Sequence, residues 1–305
     1  MRKTTILASL LTMTFIFLTA DAAGELVRLV RLKLSAGDLP SAVAAVEDYK
    51  EKNGVDAEYL DAVGWLARGA EMLKRPDAAA AYVAELRREI REEKPDTLIP
   101  LGAAIEVEGK LRAAREGRGS ALRFLEEEFS RAKDVALRSR IRKNINLLSL
   151  EGQPATDFNK ADFIGPEPPS IASLKGKPAL LFLWAHWCGD CRAQSGVLSR
   201  VVRKYRERGL VVIAPTRYYG TGAENKPATP AEEKAHMVKV WAESYAGLEG
   251  VSVPIDTDTM VRYGVSATPT YALIDRKGVV RFYTPTRLSE AELSRRIEAV
   301  LAEAP

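Results

Sequence analysis

Two cysteines three positions apart, Cys188 and Cys191, are the residues of this chain whose type and spacing can do chemistry. They sit in Trp187-Cys188-Gly189-Asp190-Cys191, where the apolar run Pro178 to Ala185 hands over to a helical stretch reaching about Arg208. A thiol at the start of a helix faces unpaired backbone N–H groups, which favour an anion. The thiolate is the attacking species in disulfide exchange, so this placement activates Cys188. Cys191, one turn on, can then attack a mixed disulfide and release the bound partner. A zinc site would need about four ligands, and the chain adds only His186 and His236, the latter in an expected surface helix, so no metal is expected. Thiol chemistry is carried by the protein alone, and no cofactor is expected.

The first residues suggest where this chemistry takes place. Arg2 and Lys3 precede an apolar run from Ile6 to Leu18, and Ala20-Asp21-Ala22 offers small residues for a signal peptidase. Residues 1–22 are therefore read as a signal peptide, with an uncleaved N-terminal membrane anchor as the alternative. The run is shorter than the roughly 20 apolar residues of a spanning helix. Export predicts a periplasmic or otherwise extracytoplasmic protein. Structural disulfides are expected to be absent, because the two cysteines are the only ones in 305 residues. The net charge of +4 falls to +3 without Arg2, Lys3 and Asp21, and no basic block is interleaved with aromatics, which argues against nucleic acid.

The elements that must position the cysteines follow from period and breakers. After Pro154, apolar runs at Pro178–Ala185 and Leu210–Ala214 read as buried strands, separated by the helix that carries Cys191. A polar, Gly/Pro-rich insertion at about 216–230, with Tyr218 and Tyr219, precedes a helix at 231–245. The insertion is either a substrate lip or mobile filler. Val253 to Asp256 is a short strand, and Asp256 and Asp258 read as a strand end and helix cap rather than metal ligands. Thr270–Asp275 and Val279–Tyr283 flank a turn at Arg276-Lys277-Gly278, and a last helix opens on a capping-box pattern, Ser289 with Glu292. This order predicts an α/β layer fold.

The stretch Trp184-Ala185-His186-Trp187-Cys188-Gly189-Asp190-Cys191 resembles the active-site segment of the thioredoxin superfamily, with both tryptophans in place. Ala267-Thr268-Pro269-Thr270 resembles the segment holding that superfamily's cis-proline. Over 155–305 the chain is most similar to the periplasmic TlpA/ResA branch, whose members reduce disulfides in exported substrates, including apocytochromes. The resemblance implies a central mixed sheet flanked by helices. It also implies a reductase in which Cys188 attacks and Cys191 resolves, and Trp187, Thr268 and Pro269 line the substrate groove. Trp184, His186 and Asp190 would tune or shield the pair. Protein disulfides and a redox donor would be the partners, and an oxidase or isomerase is the alternative direction. Peroxidase chemistry is disfavoured, since the Pro-x-x-x-Thr-x-x-Cys arrangement of peroxiredoxins is missing.

Three departures bear on tuning. Phe182 stands where thioredoxin has a buried Asp. Gln194 and Gly196 stand where many TlpA/ResA proteins have Glu and Pro, leaving no evident carboxylate base. Asp190 replaces the usual proline, and its charge should raise the Cys188 pKa and make the dithiol more reducing. His186 and Arg192 push the other way. His186 either tunes Cys188 or, as is commoner at a loop edge, faces water.

Residues 25–150 read as helix throughout, forming an all-α helical-hairpin repeat domain. Ala42, Ala45 and Val46 are spaced like Ala79, Tyr82 and Val83, and like Ala121, Phe124 and Leu125, at steps of 37 and 42 residues. Partner helices are expected at about 56–73 and 98–115, and a last helix at 134–149. The stretch resembles tetratricopeptide-type repeats loosely, without that family's Trp-Leu-Gly-Tyr pattern. Such an array is either a docking surface for a partner protein, making the chain an adaptor or redox sensor, or a cap.

Overall fold

The computed structural model describes residues 24–303, so the signal-peptide reading of residues 1–22 lies outside the described residues. Seven helices come first: α1 Glu25–Ser35, α2 Leu39–Asn53, α3 Ala57–Met72, α4 Pro76–Glu89, α5 Leu98–Glu116, α6 Arg118–Arg131 and α7 Val135–Ser149. The starts follow local chemistry. Asp38, Asp56 and Asp134 cap α2, α3 and α7 by accepting backbone N–H groups, and Pro76 opens α4 where no donor is needed. Each helix packs on the next, and α1, α3, α5 and α7 also pack in series. The repeated positions face inward: Ala42 and Val46, Ala79 and Val83, and Ala121, Phe124 and Leu125 are all buried. A small residue followed four later by a branched or larger one lets neighbouring helices approach while filling the space between them.

The α/β half begins with β1 Phe163–Ile164 and β2 Ala179–Leu183. After α8 Gly189–Ala193, α9 Ser195–Tyr205, β3 Val211–Ile213 and α10 Pro230–Ser244 come β4 Val253–Pro254, α11 Thr257–Arg262, β5 Thr270–Ile274, β6 Val280–Thr284 and α12 Glu290–Ala302. The main sheet has the order β3-β2-β5-β6, with β2 parallel to β3 and the other pairs antiparallel, and β1 pairs separately with β4. All five residues of β2 are buried, as a central strand covered on both faces requires. Leu180, Phe182 and Trp184 pack with α9, α10 and α12, whereas Ala179, Leu181 and Leu183 pack with Met260, Tyr263 and Phe158. The alternation aims β2 so that its C-terminal end delivers the Trp184–Cys188 segment to the sheet edge.

Two local expectations change. The helix after Cys188 is broken at Gln194 into α8 and α9. The Ser289–Glu292 capping box is half made. Ser289 Oγ accepts from Glu292 N, but the Glu292 carboxylate turns to Arg295 and Arg296, whose charge-assisted bonds outcompete one backbone donor. A full box forms instead at Thr229 and Glu232, at the start of α10.

The helical half is seated on the second sheet face. Leu150 packs against that face, Asn146 Nδ2 donates to Arg262 O at 2.9 Å, and Gly152 N donates to Val280 O at 2.8 Å. Gly264 has φ +62° and lies against the α7 backbone: a Cβ there would be 2.8 Å from the Arg142 carbonyl carbon and closer still to Lys143.

Asp256, rather than Asp258, caps α11, accepting from Asp258 N, Thr259 N and Thr259 Oγ1, and it also receives Asn159 N. Burial pushes its carboxyl pKa up, but the bonds from Thr259, Asn159 and Asp258 outweigh this and hold it below the usual value. A depressed carboxylate stabilises the fold above its unfolded value of about 3.9, and that contribution is lost as pH falls through the lower folded pKa. Asp256→Ala is expected to destabilise the protein by about 1–2 kcal/mol near neutral pH. Urea unfolding should show the gap between variant and wild type closing in strong acid.

Candidate active site

The two cysteines form a disulfide at the end of β2, with Cα atoms 5.2 Å apart. Cys188 is the N-cap of α8, and its Sγ accepts from Cys191 N at 3.0 Å. Cys188 is 4% exposed and Cys191 is fully enclosed, so Cys188 is the more accessible of the two. The Thr268-Pro269 peptide bond is cis, and the Thr268 carbonyl oxygen lies 3.4 Å from Cys188 Sγ. Thr268 is half-buried and Pro269 buried. The two segments meet because β5, which begins at Thr270, pairs antiparallel with β2, whose last residue Leu183 lies opposite it.

The tryptophans divide the work around the pair. Trp184 is buried, donates Nε1–H to Ala214 O at 3.0 Å and packs against Trp241 and Tyr245. Trp187, beside Cys188, is 45% exposed and meets the Tyr219 ring edge-on. Asp190 also faces solvent and pairs with Arg287 at 3.4 Å, both side chains being more than half exposed. An exposed charge with a cationic partner is screened, so the expected repulsion on Cys188 is weaker than the sequence alone implies.

His186 corrects the expectation of a solvated loop-edge histidine. It is fully buried, and its Nε2 lies 3.0 Å from Glu233 Oε1. Burial pushes its pKa below the usual value, against the pull of Glu233 and with the help of His236 and Arg192. Neutral imidazole with Nε2–H donating to the carboxylate fits this arrangement. The His236 ring is half-buried and stands edge-on to His186 at 5.2 Å, rather than lying on an outer face.

Sequence reasoning missed Glu233, a fully buried carboxylate close to the disulfide segment. Its signal was present in the period of α10, where Glu233, Met237 and Val240 form the buried stripe. At the two positions where the sequence lacks an acid, the structure puts other contacts. Phe182 packs on Tyr245 and Tyr271, and Gln194 Oε1 accepts from Tyr271 OH at 2.9 Å and Leu288 N at 3.0 Å. The insertion is tied down. Tyr218 OH donates to Asp162, Glu233 accepts from the backbone of Tyr219 and Gly220, and Arg217 lies over the Tyr219 ring.

Comparison with known proteins concerns this half of the chain. Residues 150–299 match the Redoxin family. Thioredoxin-like protein YneN of Bacillus subtilis is 28% identical over 151 residues, covering 48% of this chain and 79% of that protein. Thiol:disulfide interchange protein DsbE of Pseudomonas fluorescens is 30% identical over 130 residues, covering 43% of this chain and 64% of that protein. Thiol-disulfide oxidoreductase ResA of Bacillus anthracis is 28% identical over 129 residues, covering 42% and 66%. The chain thus spans just under two thirds of the DsbE and ResA relatives.

Proposed function

We propose that this chain, whose C-terminal half is a thioredoxin-superfamily domain of the ResA-like kind, is a thiol–disulfide oxidoreductase that reduces disulfides in exported proteins. The observation that carries this reading is the juxtaposition of the Cys188–Cys191 disulfide with the cis Thr268-Pro269 edge.

The geometry supports the following reaction. In the reduced protein the Cys188 thiolate attacks one sulfur of a substrate disulfide, forming a mixed disulfide and expelling the other sulfur as a thiolate. Cys191 then loses its proton and attacks Cys188 Sγ, re-forming the disulfide and releasing the second substrate thiolate. Two electrons pass from protein to substrate, and a dithiol donor restores the reduced pair. The Cys191 N–H aimed at Cys188 Sγ stabilises the attacking thiolate. Trp187, Thr268 and Pro269 line the edge on which the substrate backbone lies, and Trp184 holds the segment from beneath.

Residues 1–22 are assigned to export, as signal or anchor, residues 155–305 to the redox domain and residues 25–150 to a partner-facing helical domain. A groove of about 780 Å³ between α1 and α3, floored by Trp65 and bordered by the exposed Leu32 and Met72, supports that last assignment.

The reduction potential of Cys188–Cys191, measured by equilibration with glutathione or dithiothreitol, tests the direction. A value near about −270 mV is expected for a reductase, whereas one near about −120 mV would mark an oxidant and end this reading.

A further inference from the structure

The fully buried Glu233 carboxylate is not used in the exchange chemistry, and it needs a reason. Enclosing a carboxylate costs several kcal/mol unless its oxygens are well supplied with donors. Here Oε1 accepts from Tyr219 N at 2.6 Å and faces His186 Nε2 at 3.0 Å, while Oε2 accepts from Gly220 N at 2.8 Å. Two of these donors are consecutive backbone groups of the insertion, and the third belongs to the segment leading into Cys188. An apolar side chain would continue the Met237–Val240 stripe without that cost. A carboxylate at this place specifies one position of the insertion relative to the disulfide segment.

That position has a consequence at the surface. The Tyr219 ring stands edge-on to His186 at 5.8 Å and to Trp187 at 5.4 Å, and Tyr219 OH is 3.4 Å from Trp184 O. Arg217 lies 4.5 Å from the centre of the same ring. Tyr219 thus meets Trp187, Trp187 directly precedes Cys188, and Cys188 Sγ meets the Thr268 carbonyl. The attacking cysteine is flanked in sequence by one member of an aromatic pair and in space by the backbone of the cis-proline segment.

We propose that Glu233 is a positioning residue that locks the Tyr219 lip against Trp187, and that the aromatic step so formed selects polypeptide disulfides whose cysteine is flanked by an aromatic or large apolar side chain. The inference rests on the redox reading above. The substrate backbone lies along Thr268-Pro269, its cysteine reaches Cys188, and the neighbouring side chain packs on Trp187 and Tyr219. A small disulfide such as oxidised glutathione gains nothing from this step.

The test uses two glutathione-capped peptides, identical except for Phe or Ser beside the cysteine, with the full-length protein. The wild type should show a KM about tenfold lower for the Phe peptide, the range of one well-seated aromatic contact. Glu233→Gln offers one oxygen where three donors converge, so a backbone N–H is left facing an amide N–H₂ and the lip is released. That variant should lose the Phe/Ser preference while keeping its kcat on the Ser peptide and the potential of Cys188–Cys191. Tyr219→Ala, which leaves Glu233 unaltered, should lose the same preference, and it decides the matter if Glu233→Gln does not fold.

A wild type without preference overturns the proposal, as does a preference that survives in Tyr219→Ala. Equal loss on both peptides with a shifted potential also overturns it, because Glu233 would then be acting on the thiols. A wild type that reduces neither peptide is a failure of the redox reading itself.

Discussion

Cys191→Ser is expected to leave the protein covalently joined to its substrate through Cys188, with disulfide turnover reduced at least about a thousandfold. The expectation rests on what the second thiol contributes. Groups held in reacting geometry behave as though present at concentrations of about 10⁵ M or more, far above any thiol in solution. Cys191 lies within one turn of Cys188 and is fully enclosed, so it serves that single partner. Without it, release of the mixed disulfide depends on outside thiols reaching a residue that is only 4% exposed. Non-reducing electrophoresis with a disulfide substrate should show the adduct for Cys191→Ser and none for Cys188→Ser. Adducts on Cys191 in the latter variant would reverse the assigned roles.

Gly264→Ala should cost about 2–5 kcal/mol of stability, combining the penalty of a left-handed backbone with overpacking. The larger share comes from position. The space a methyl would fill belongs to the main chain of Arg142 and Lys143 in α7, which cannot rotate aside as a side chain can. α7 must move away from α11, and the Asn146–Arg262 bond goes with it. Gly278→Ala is the control. It also has positive φ, but its nearest neighbour is Ile171 at 3.8 Å, so only the backbone penalty of about 1–2 kcal/mol applies. Equal midpoints in urea for the two variants would show that the helical half is not closely seated on the sheet.

Most of the framework is readable from local pattern. The buried run of β2, the Asp256 cap and the three repeated helix starts each depend on residues within a few positions of one another, where period and capping chemistry operate. The cis bond at Pro269 was legible only through the resemblance of Ala267 to Thr270 to a known segment. The electrostatics around the disulfide were poorly legible. His186 and Glu233 are 47 positions apart, and the partner of Asp190 is Arg287, supplied from just before α12. Charges read along the chain pull the Cys188 pKa in opposite directions, whereas the fold buries one of those groups with a partner and exposes another to solvent. Seating of the helical half was also illegible, since Gly264 reads as an ordinary turn glycine until α7 is placed against it.

The enclosure of the two cysteines bears on how the centre withstands peroxide. Peroxide meeting the reduced protein would react first at Cys188, the more accessible of the two cysteines in the disulfide form, and leave a sulfenic acid. Cys191, already in place, condenses with that sulfenic acid to give the disulfide and one molecule of water. The sulfur is thereby withdrawn before a second peroxide can carry it to the irreversible sulfinic and sulfonic acids. In the proposed reductase direction, oxidative injury at this centre ends in the same state that turnover produces, and the dithiol donor that would serve catalysis would also serve repair.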